Sequence, residues 1–365
     1  MSICLNMIVR NESHIIISTL ENLCSYINFD YWVICDTGST DNTIELIKEF
    51  FKNNNINGEL IEHKWVDFGH NRTLALECAY NNSNKTDYLL IFDADDKIVG
   101  EFKLPVLTAD KYMLQFGTDY KYIRPLLISN KLKWKFIGVL HESLDNIDKI
   151  NTTITIEGNY HIISGRTGNR NMNPNKYRDD AIVLKNAFDK ETNIGLKCRY
   201  AFYCAQSYKD ANMVNEAIIW YEKCLELPNW VQEKYYSCMM LGSLYIYHNP
   251  KDKDKALFVL LKSMEYDMER IECIVMAMNI YRDNGMHHMV NMLYHKFKNY
   301  KKPSYNKLFL DNSKYNNEIE YNNSISAYYT KDMSSGYECC KKILDNKIIN
   351  DKLYKMTENN MKFYK

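Results

Sequence analysis

The chain has 365 residues, 46% of them hydrophobic and 25% charged, which is ordinary globular composition and long enough for two domains. Forty-six basic residues balance 46 acidic ones, so no broad positive footprint for nucleic acid is present. Eleven cysteines without a C-x-x-C pair argue for reduced, buried thiols rather than a disulfide framework or a zinc site. The N-terminus lacks the charged-then-apolar pattern of a signal peptide, and no apolar stretch approaches the roughly 18–20 residues of a membrane span. A cytoplasmic protein with no membrane span is expected.

Ile3–Val9 is an apolar run that reads as a buried strand, closed by Arg10-Asn11-Glu12 and followed by a helix pattern to about Tyr26. Tyr31–Cys35 is a second strand, ending at Asp36-Thr37-Gly38-Ser39. Ser39, Thr40 or Asp41 then offers an N-cap for a helix to about Phe51. Ile61–Trp65 is expected as a third, short strand. Gly69-His70-Asn71-Arg72 leads into a helix over Thr73–Tyr80, and Tyr88–Phe92 is a fourth strand. This β-α-β-α-β-α-β order argues an open α/β sheet with right-handed crossovers. In such a sheet the carboxyl ends of the strands line one crevice, so Asn11, Glu12, Asp36 and Asp93–Asp96 are expected to converge.

The most informative stretch is Tyr88–Asp96, Y-L-L-I-F-D-A-D-D. On a strict strand Asp93 and Asp95 share a face, where two carboxylates repel unless a cation or donors neutralise them. A divalent cation carrying phosphates is one neutraliser, and capping of a following helix is the other reading. Each remaining residue also has a plain reading: Glu12 as helix charge, Asp36 as a turn residue, and Arg72 as the partner of Asp67 or Asp93. There is no G-x-G-x-x-G after the first strand, no G-x-x-x-x-G-K-[ST] and no G-x-S-x-G, which disfavours Rossmann dehydrogenases, P-loop enzymes and serine hydrolases.

Four ordered segments, M-I-V-R-N-E-S, V-I-C-D-T-G-S-T-D-N-T, W-V-D-F-G-H-N-R-T-L-A-L and L-L-I-F-D-A-D-D, resemble a family 2 glycosyltransferase of the GT-A fold over roughly residues 1–145. The resemblance implies transfer of a sugar from a nucleotide-sugar donor, with a UDP-sugar favoured, to an acceptor hydroxyl, normally with inversion and with Mn²⁺ or Mg²⁺. It implies that Asp36 holds the base or ribose, although Thr37 stands where many relatives have a second acid. Arg10, Asn11 and Glu12 would line the nucleotide pocket, and Asn71 and Arg72 would approach the phosphates. Asp95 would bind the metal and Asp93 the ribose or a metal water. The cluster Trp134–Glu142 resembles a Trp…Gly-x-x-His-Glu segment of some relatives. His141 is then a further metal ligand, Glu142 the candidate general base, and Trp134 a surface for a sugar ring. A strand with His141 satisfied at its end and Glu142 solvated is the plain alternative. Tyr112–Ser129, with Asp119 and Arg124, is expected to add strands with acceptor contacts.

From about Lys176 the pattern is helical throughout. Ala201–Leu227, the stretch around Leu241–Lys262 and that from Ala277 to Tyr294 resemble tetratricopeptide repeats, with a degenerate copy over residues 325–347. Each helix pair buries its apolar face only by stacking on the next. The expected organisation is an α/β GT-A domain (a Rossmann-like mixed sheet) over residues 1–175 and an all-α tetratricopeptide-like domain over 176–365. Residues 164–180 join them, either as a linker or as an ordered loop whose Arg166 and Arg170 reach the donor phosphates. The acceptor, whether glycan, protein or lipid, is left open. The competing readings are a non-catalytic interaction protein that binds a peptide or protein partner through its repeats, and a nucleotidyltransferase. The missing Gly-rich phosphate loop argues against the latter.

Overall fold

The computed structural model describes residues 1–81, 85–118, 122–146, 152–248, 252–303, 307–346 and 351–364. The chain forms two compact units, Met1–Ala211 and Asn212–Lys365.

The first unit is built on a mixed sheet. Its parallel half comprises β1 (Ile3–Val9), β2 (Tyr31–Asp36), β3 (Gly58–Glu62) and β4 (Tyr88–Ile91). Between them run α1 (Ile16–Tyr26), α2 (Thr43–Asn53) and α3 (Phe68–Asn81). The third strand therefore ends at Glu62, three residues before its expected end. Its pairing explains the shift, because Gly58 lies opposite Trp32 and leaves room for the indole. The sheet continues with β5 (Lys97–Gly100), β6 (Lys111–Phe116), β7 (Tyr122–Ser129), β10 (Thr153–Thr155) and β11 (Tyr160–Ile163). The strand order is β3-β2-β1-β4-β7-β6-β11-β5, with β10 beside β6. A separate ribbon pairs β8 (Trp134–Ile137) with β9 (Ser143–Asn146).

Two apolar layers flank the sheet. Leu5, Met7, Ile34 and Leu90 face Ile16, Leu20, Leu23 of α1 and Ile47, Phe51 of α2. Cys4, Val33, Leu89 and Ile91 face Leu76 and Ala79 of α3, with Trp134 closing that layer. The alternation of these residues along each strand is the period of two that a sheet covered on both faces requires. Strands β2 and β3 lie on one side of β1 and β4 on the other. The direction of winding reverses between β1 and β4, and an open α/β sheet presents its ligand crevice at such a switch.

The unit ends with α4 (Lys176–Lys190) and α5 (Ile194–Asp210), which the sequence assigned to the helical domain. These helices pack on each other, and α5 is fastened to the segment after β8. Tyr200 accepts at its hydroxyl from the Val139 N–H (3.2 Å), and Arg199 Nε donates to the His141 carbonyl (2.6 Å). The compact division accordingly falls 36 residues later than the expected one.

The second unit is all-α: α6 (Val214–Glu226), α7 (Val231–Tyr247), α8 (Lys253–Lys262), α9 (Glu272–Asp283), α10 (His287–Phe297), α11 (Glu318–Thr330), α12 (Met333–Asp345) and α13 (Asp351–Met361). Small residues sit where helices approach closely. A Cβ on Gly242 of α7 would lie 2.5 Å from Leu260 of α8. Arg270, fully buried, bonds Glu272, Gln232 and the Leu308 carbonyl. Among the described residues no helix is long and apolar enough to cross a membrane.

Candidate active site

The loop after β1 carries the first group of site residues. Asn11 takes a left-handed backbone conformation (φ 55°), which asparagine tolerates better than most residues. Its N–H donates to Ser39 Oγ (2.8 Å), and its Oδ1 accepts from the Thr40 N–H (2.7 Å). Asn11 thereby stitches the first loop to the second. Arg10 is exposed and forms no ion pair among the described residues.

At the end of β2, Asp36 is 1% exposed. Its Oδ1 accepts from the N–H groups of Gly38 and Ser39, both at 2.8 Å. The turn needs Gly38, whose φ is +106°. Oδ2 of Asp36 is buried and has no hydrogen-bond partner among the described residues. Thr37, in place of a second acid, donates its hydroxyl to the Val9 carbonyl (3.1 Å) and so ties β2 to β1.

Strand β4 stops at Ile91, and the acidic run that follows is a turn closed by the Asp96 N–H on the Asp93 carbonyl. The expectation that Asp93 and Asp95 share one face of a strand is therefore corrected: their carboxylates diverge. Asp93 faces Arg72 Nη2 (2.5 Å) and Arg124 Nη2 (3.5 Å). Burial pushes the Asp93 carboxyl up, but the two guanidinium groups outweigh it and hold it at about 2. Asp95 instead meets the loop before α4, accepting from the Gly168 N–H (3.3 Å) and Asn171 Nδ2 (3.4 Å). Burial, and then the charge of Asp93, raise it above the usual carboxylate range. Asp96, not assigned a role from sequence, is driven up to about 8 by burial and the neighbouring Asp93, and its Oδ1 is buried without a partner.

Arg72 joins this turn to the segment after β8. Its Nε lies 2.7 Å from Glu142 Oε1, an ion pair whose N–H direction misses hydrogen-bond geometry. Gly69 makes this approach feasible, since a Cβ there would lie 2.1 Å from the Gly138 carbonyl oxygen. Asn71 commits its amide to the Lys64 carbonyl (3.0 Å) and the Val66 N–H (2.9 Å). It shapes the loop rather than facing the crevice. His141 has φ 52° and its ring stacks on Tyr203 (4.1 Å between centroids, 10° between planes). Confinement against α5, followed by the charges of Arg199 and Arg170, disfavours its protonated form. His141 as a residue is exposed, and its cationic neighbours act in the same direction as the confinement of its ring.

Trp134 is 2% exposed, donates Nε1–H to the Ser129 carbonyl (3.0 Å) and belongs to the core. The expectation that it stacks on a sugar is corrected. Asp119 lies outside the described residues.

Residues 164–175 form an ordered loop over Asp95. A Cβ on Gly165 would sit 1.7 Å from the Asp95 carbonyl oxygen. Glu12 accepts from the Asn169 N–H (3.2 Å), and His14 Nε2 lies 2.7 Å from the Thr167 carbonyl. Burial raises Glu12 to about 7, with the Asn169 N–H opposing and Asp95 adding to the rise. Arg170 pairs with Asp180 and covers the Phe68 ring at 4.6 Å. Lys176 donates to Asn171 (2.5 Å).

The oxygen-rich set fits a hard divalent cation, because burial raises both Asp95 and Glu12, the charge of Asp93 adds to the rise at Asp95 and that of Asp95 to the rise at Glu12, a strain a cation would relieve. His141 is not drawn in with them. Among the described residues, Asp93, Asp95 and His141 do not bring ligand atoms within 4.8 Å of one another. The roles that sequence reasoning missed belong to Asp96, Arg124, Asn171 and Tyr203. Asp96 was visible in the motif and Arg124 in the Tyr112–Ser129 segment, without a role for either, whereas Asn171 and Tyr203 lie on separate elements with no local signal.

The family model described as Glycosyl transferase family 2 matches residues 4–109 of the N-terminal region. No curated protein matches the chain. Among solved structures, S. aureus TarS 1-349 in complex with UDP is similar at 12% identity and a TM-score of 0.36, over 78% of this chain and 92% of that one. The mannosyltransferase PcManGT from Pyrobaculum calidifontis, in complex with GDP-Man and Mn²⁺, is similar at 12% identity and a TM-score of 0.36, over 72% and 86%. The TPR protein YrrB, described as having an unusual peptide-binding site, is similar at 15% identity and a TM-score of 0.35, over 51% and 84%.

Proposed function

We propose that the protein is a metal-dependent, inverting glycosyltransferase that uses a nucleotide-sugar donor, with a UDP-sugar favoured. The observation that carries this reading is the buried, unpartnered Oδ2 of Asp36 at the carboxyl end of β2. A buried acceptor left unmet costs about 1–3 kcal/mol, so a ligand donor such as a base N–H or ribose hydroxyl belongs there. Asn11 holds the rim of that pocket, and the unpaired Arg10 offers charge to the diphosphate. Asn71 orders the loop that presents Arg72.

Asp95 and Asp93, with His141 as a further ligand after rearrangement, would hold Mg²⁺ or Mn²⁺, which when bound neutralises charge on the departing diphosphate. The Gly168 N–H and the Asn171 side-chain amide donate to the half-buried Asp95 beside Glu12, and so hold its carboxylate in place. The acceptor oxygen forms a bond to the sugar's anomeric carbon as that carbon's bond to the diphosphate breaks, and Glu142 takes the acceptor's proton. Arg72 contacts Glu142 through Nε and Asp93 through Nη2 of one guanidinium, which fixes the base relative to the acidic turn.

The test is a thermal-shift panel of UDP-, GDP- and CMP-sugars with and without Mn²⁺, on the full chain and on Asp95→Asn. A donor at about 100 times its dissociation constant adds roughly 2.7 kcal/mol. A metal-dependent rise with one donor, lost in Asp95→Asn, is expected. Full turnover in Asp95→Asn sinks the metal assignment. The absence of any donor response sinks the enzyme reading and leaves a partner-binding role for the helical unit.

A further inference from the structure

A second cluster of reactive side chains lies on the opposite side of β2 from the α1–α2 layer. Cys35 (0% exposed) belongs to β2, Cys78 to α3, and His63 follows β3 directly. Their ligand atoms all lie within 4.8 Å of one another, and His63 Nε2 is 3.4 Å from Cys78 Sγ. Among the described residues this is the one group of three or more such side chains so closely gathered. Nothing in the proposed transfer reaction uses it.

We propose that Cys35, His63 and Cys78 form a binding site for a thiophilic divalent ion of the zinc class. Zinc takes thiolate at ~2.3 Å and imidazole at ~2.0–2.1 Å in tetrahedral geometry, so neighbouring ligand atoms stand about 3.5–3.8 Å apart. The observed His63–Cys78 separation already matches one such edge. Two sulfurs and one nitrogen are a soft donor set that discriminates against the hard cations suited to Asp95. Cys78 and His63 are only partly buried, so an ion has a way in and solvent takes the fourth position. On binding, both thiols release their protons to solvent, and the interaction that already links the two sulfurs is replaced by two metal–sulfur bonds.

The three ligands come from three different elements, so an ion would clamp β2, the β3 end and α3 together. The His63 N–H donates to the Asp36 carbonyl (2.8 Å), which places the clamp one residue from the acid at the strand end. A filled site would therefore stiffen the wall of the nucleotide pocket without touching the donor. Neither the family match nor the acidic turn bears on this site, and its test is independent of sugar transfer.

Reduced, metal-free full-length protein would be titrated with Co²⁺ and its absorbance followed, then back-titrated with Zn²⁺. The expected result is one equivalent of Co²⁺ giving a sulfur-to-metal charge-transfer band with tetrahedral visible bands, both abolished by Zn²⁺. Cys78→Ser and His63→Gln should each lose the bound spectrum, while Cys24→Ser, on the α1 side of the sheet, keeps it. A wild-type readout guards against misfolded variants: Zn²⁺ should shield Cys78, but not Cys24, from alkylation measured by peptide mass spectrometry. A cobalt spectrum unchanged in Cys78→Ser, or Cys78 alkylated equally fast with and without Zn²⁺, overturns the proposal.

Discussion

Replacing Arg72 with Met tests the ionic joint at the centre of the candidate site. Arg72, with a side chain 9% exposed, lies 2.5 Å from Asp93 and 2.7 Å from Glu142, whose side chains are 24% and 10% exposed. At an effective dielectric of about 20, each contact corresponds to about 6 kcal/mol of attraction, which the desolvation of three ions largely offsets. Methionine fills similar volume but strands two carboxylates beside Asp96, with Arg124 the remaining cation that contacts Asp93 and Asp96. Breaking a buried pair from one side costs about 3–5 kcal/mol. Hydrogen exchange read by mass spectrometry on peptides from α3 and β4 should accelerate by about a hundred- to a few-thousand-fold, since 1.36 kcal/mol is tenfold. Peptides from Glu272–Asp283, in the other compact unit, supply the internal reference. Adding Asp93→Asn and Glu142→Gln to Arg72→Met should return much of the protection, because the stranded charges are then gone. Acceleration of less than about tenfold, or no relief in the triple variant, would refute the ionic account.

Gly165→Ala places a Cβ 1.7 Å from the Asp95 carbonyl oxygen and must displace the loop. A loss of about 1–3 kcal/mol by calorimetry is expected, with a weakened metal-dependent donor response, and an unaltered response would deny the loop its role. Arg270→Met in the helical unit leaves Glu272, 0% exposed, without its cation, at a cost of about 3–5 kcal/mol in urea unfolding, and Arg270→Met with Glu272→Leu should recover most of it. At Asp41 burial pushes the carboxyl up, but Thr43 and Ser13 donors hold it at about 2. Its folded value lies below the unfolded one of about 3.9, so its contribution is present above that pH and fades as pH falls toward 2. Discounted for its partial exposure, that contribution is on the order of 1 kcal/mol. Asp41→Asn should flatten the fall in urea stability between pH 5 and pH 3 by about that amount, and an equally steep fall would count against the Thr43 and Ser13 donors as its source.

The apolar runs of β1, β2 and β4 and the helices between them were legible because each strand is covered on both faces and must be continuously apolar. Convergence of Asn11, Asp36 and the Asp93–Asp96 turn followed from strand order alone, since parallel strands bring their carboxyl ends together. The all-helical character of the second unit was legible for a related reason, a recurring pattern of small and aromatic residues along its helices. What each side chain faces was decided only in three dimensions. Trp134 occurs in a motif that suggests a sugar platform, yet the second apolar layer buries it. Asp93 and Asp95 are two residues apart, yet the strand ends at Ile91 and the turn sends one carboxylate to Arg72 and Arg124 and the other to Gly168. Arg72 and Glu142 are 70 positions apart and meet because Gly69 lets α3 abut the Gly138 backbone. Cys35, His63 and Cys78 show no ligand spacing along the chain, and the sheet and α3 bring them within reach of one ion. Periodicity records which face of an element is buried, whereas the pairing of charges and ligands depends on separations between elements that the linear pattern does not encode.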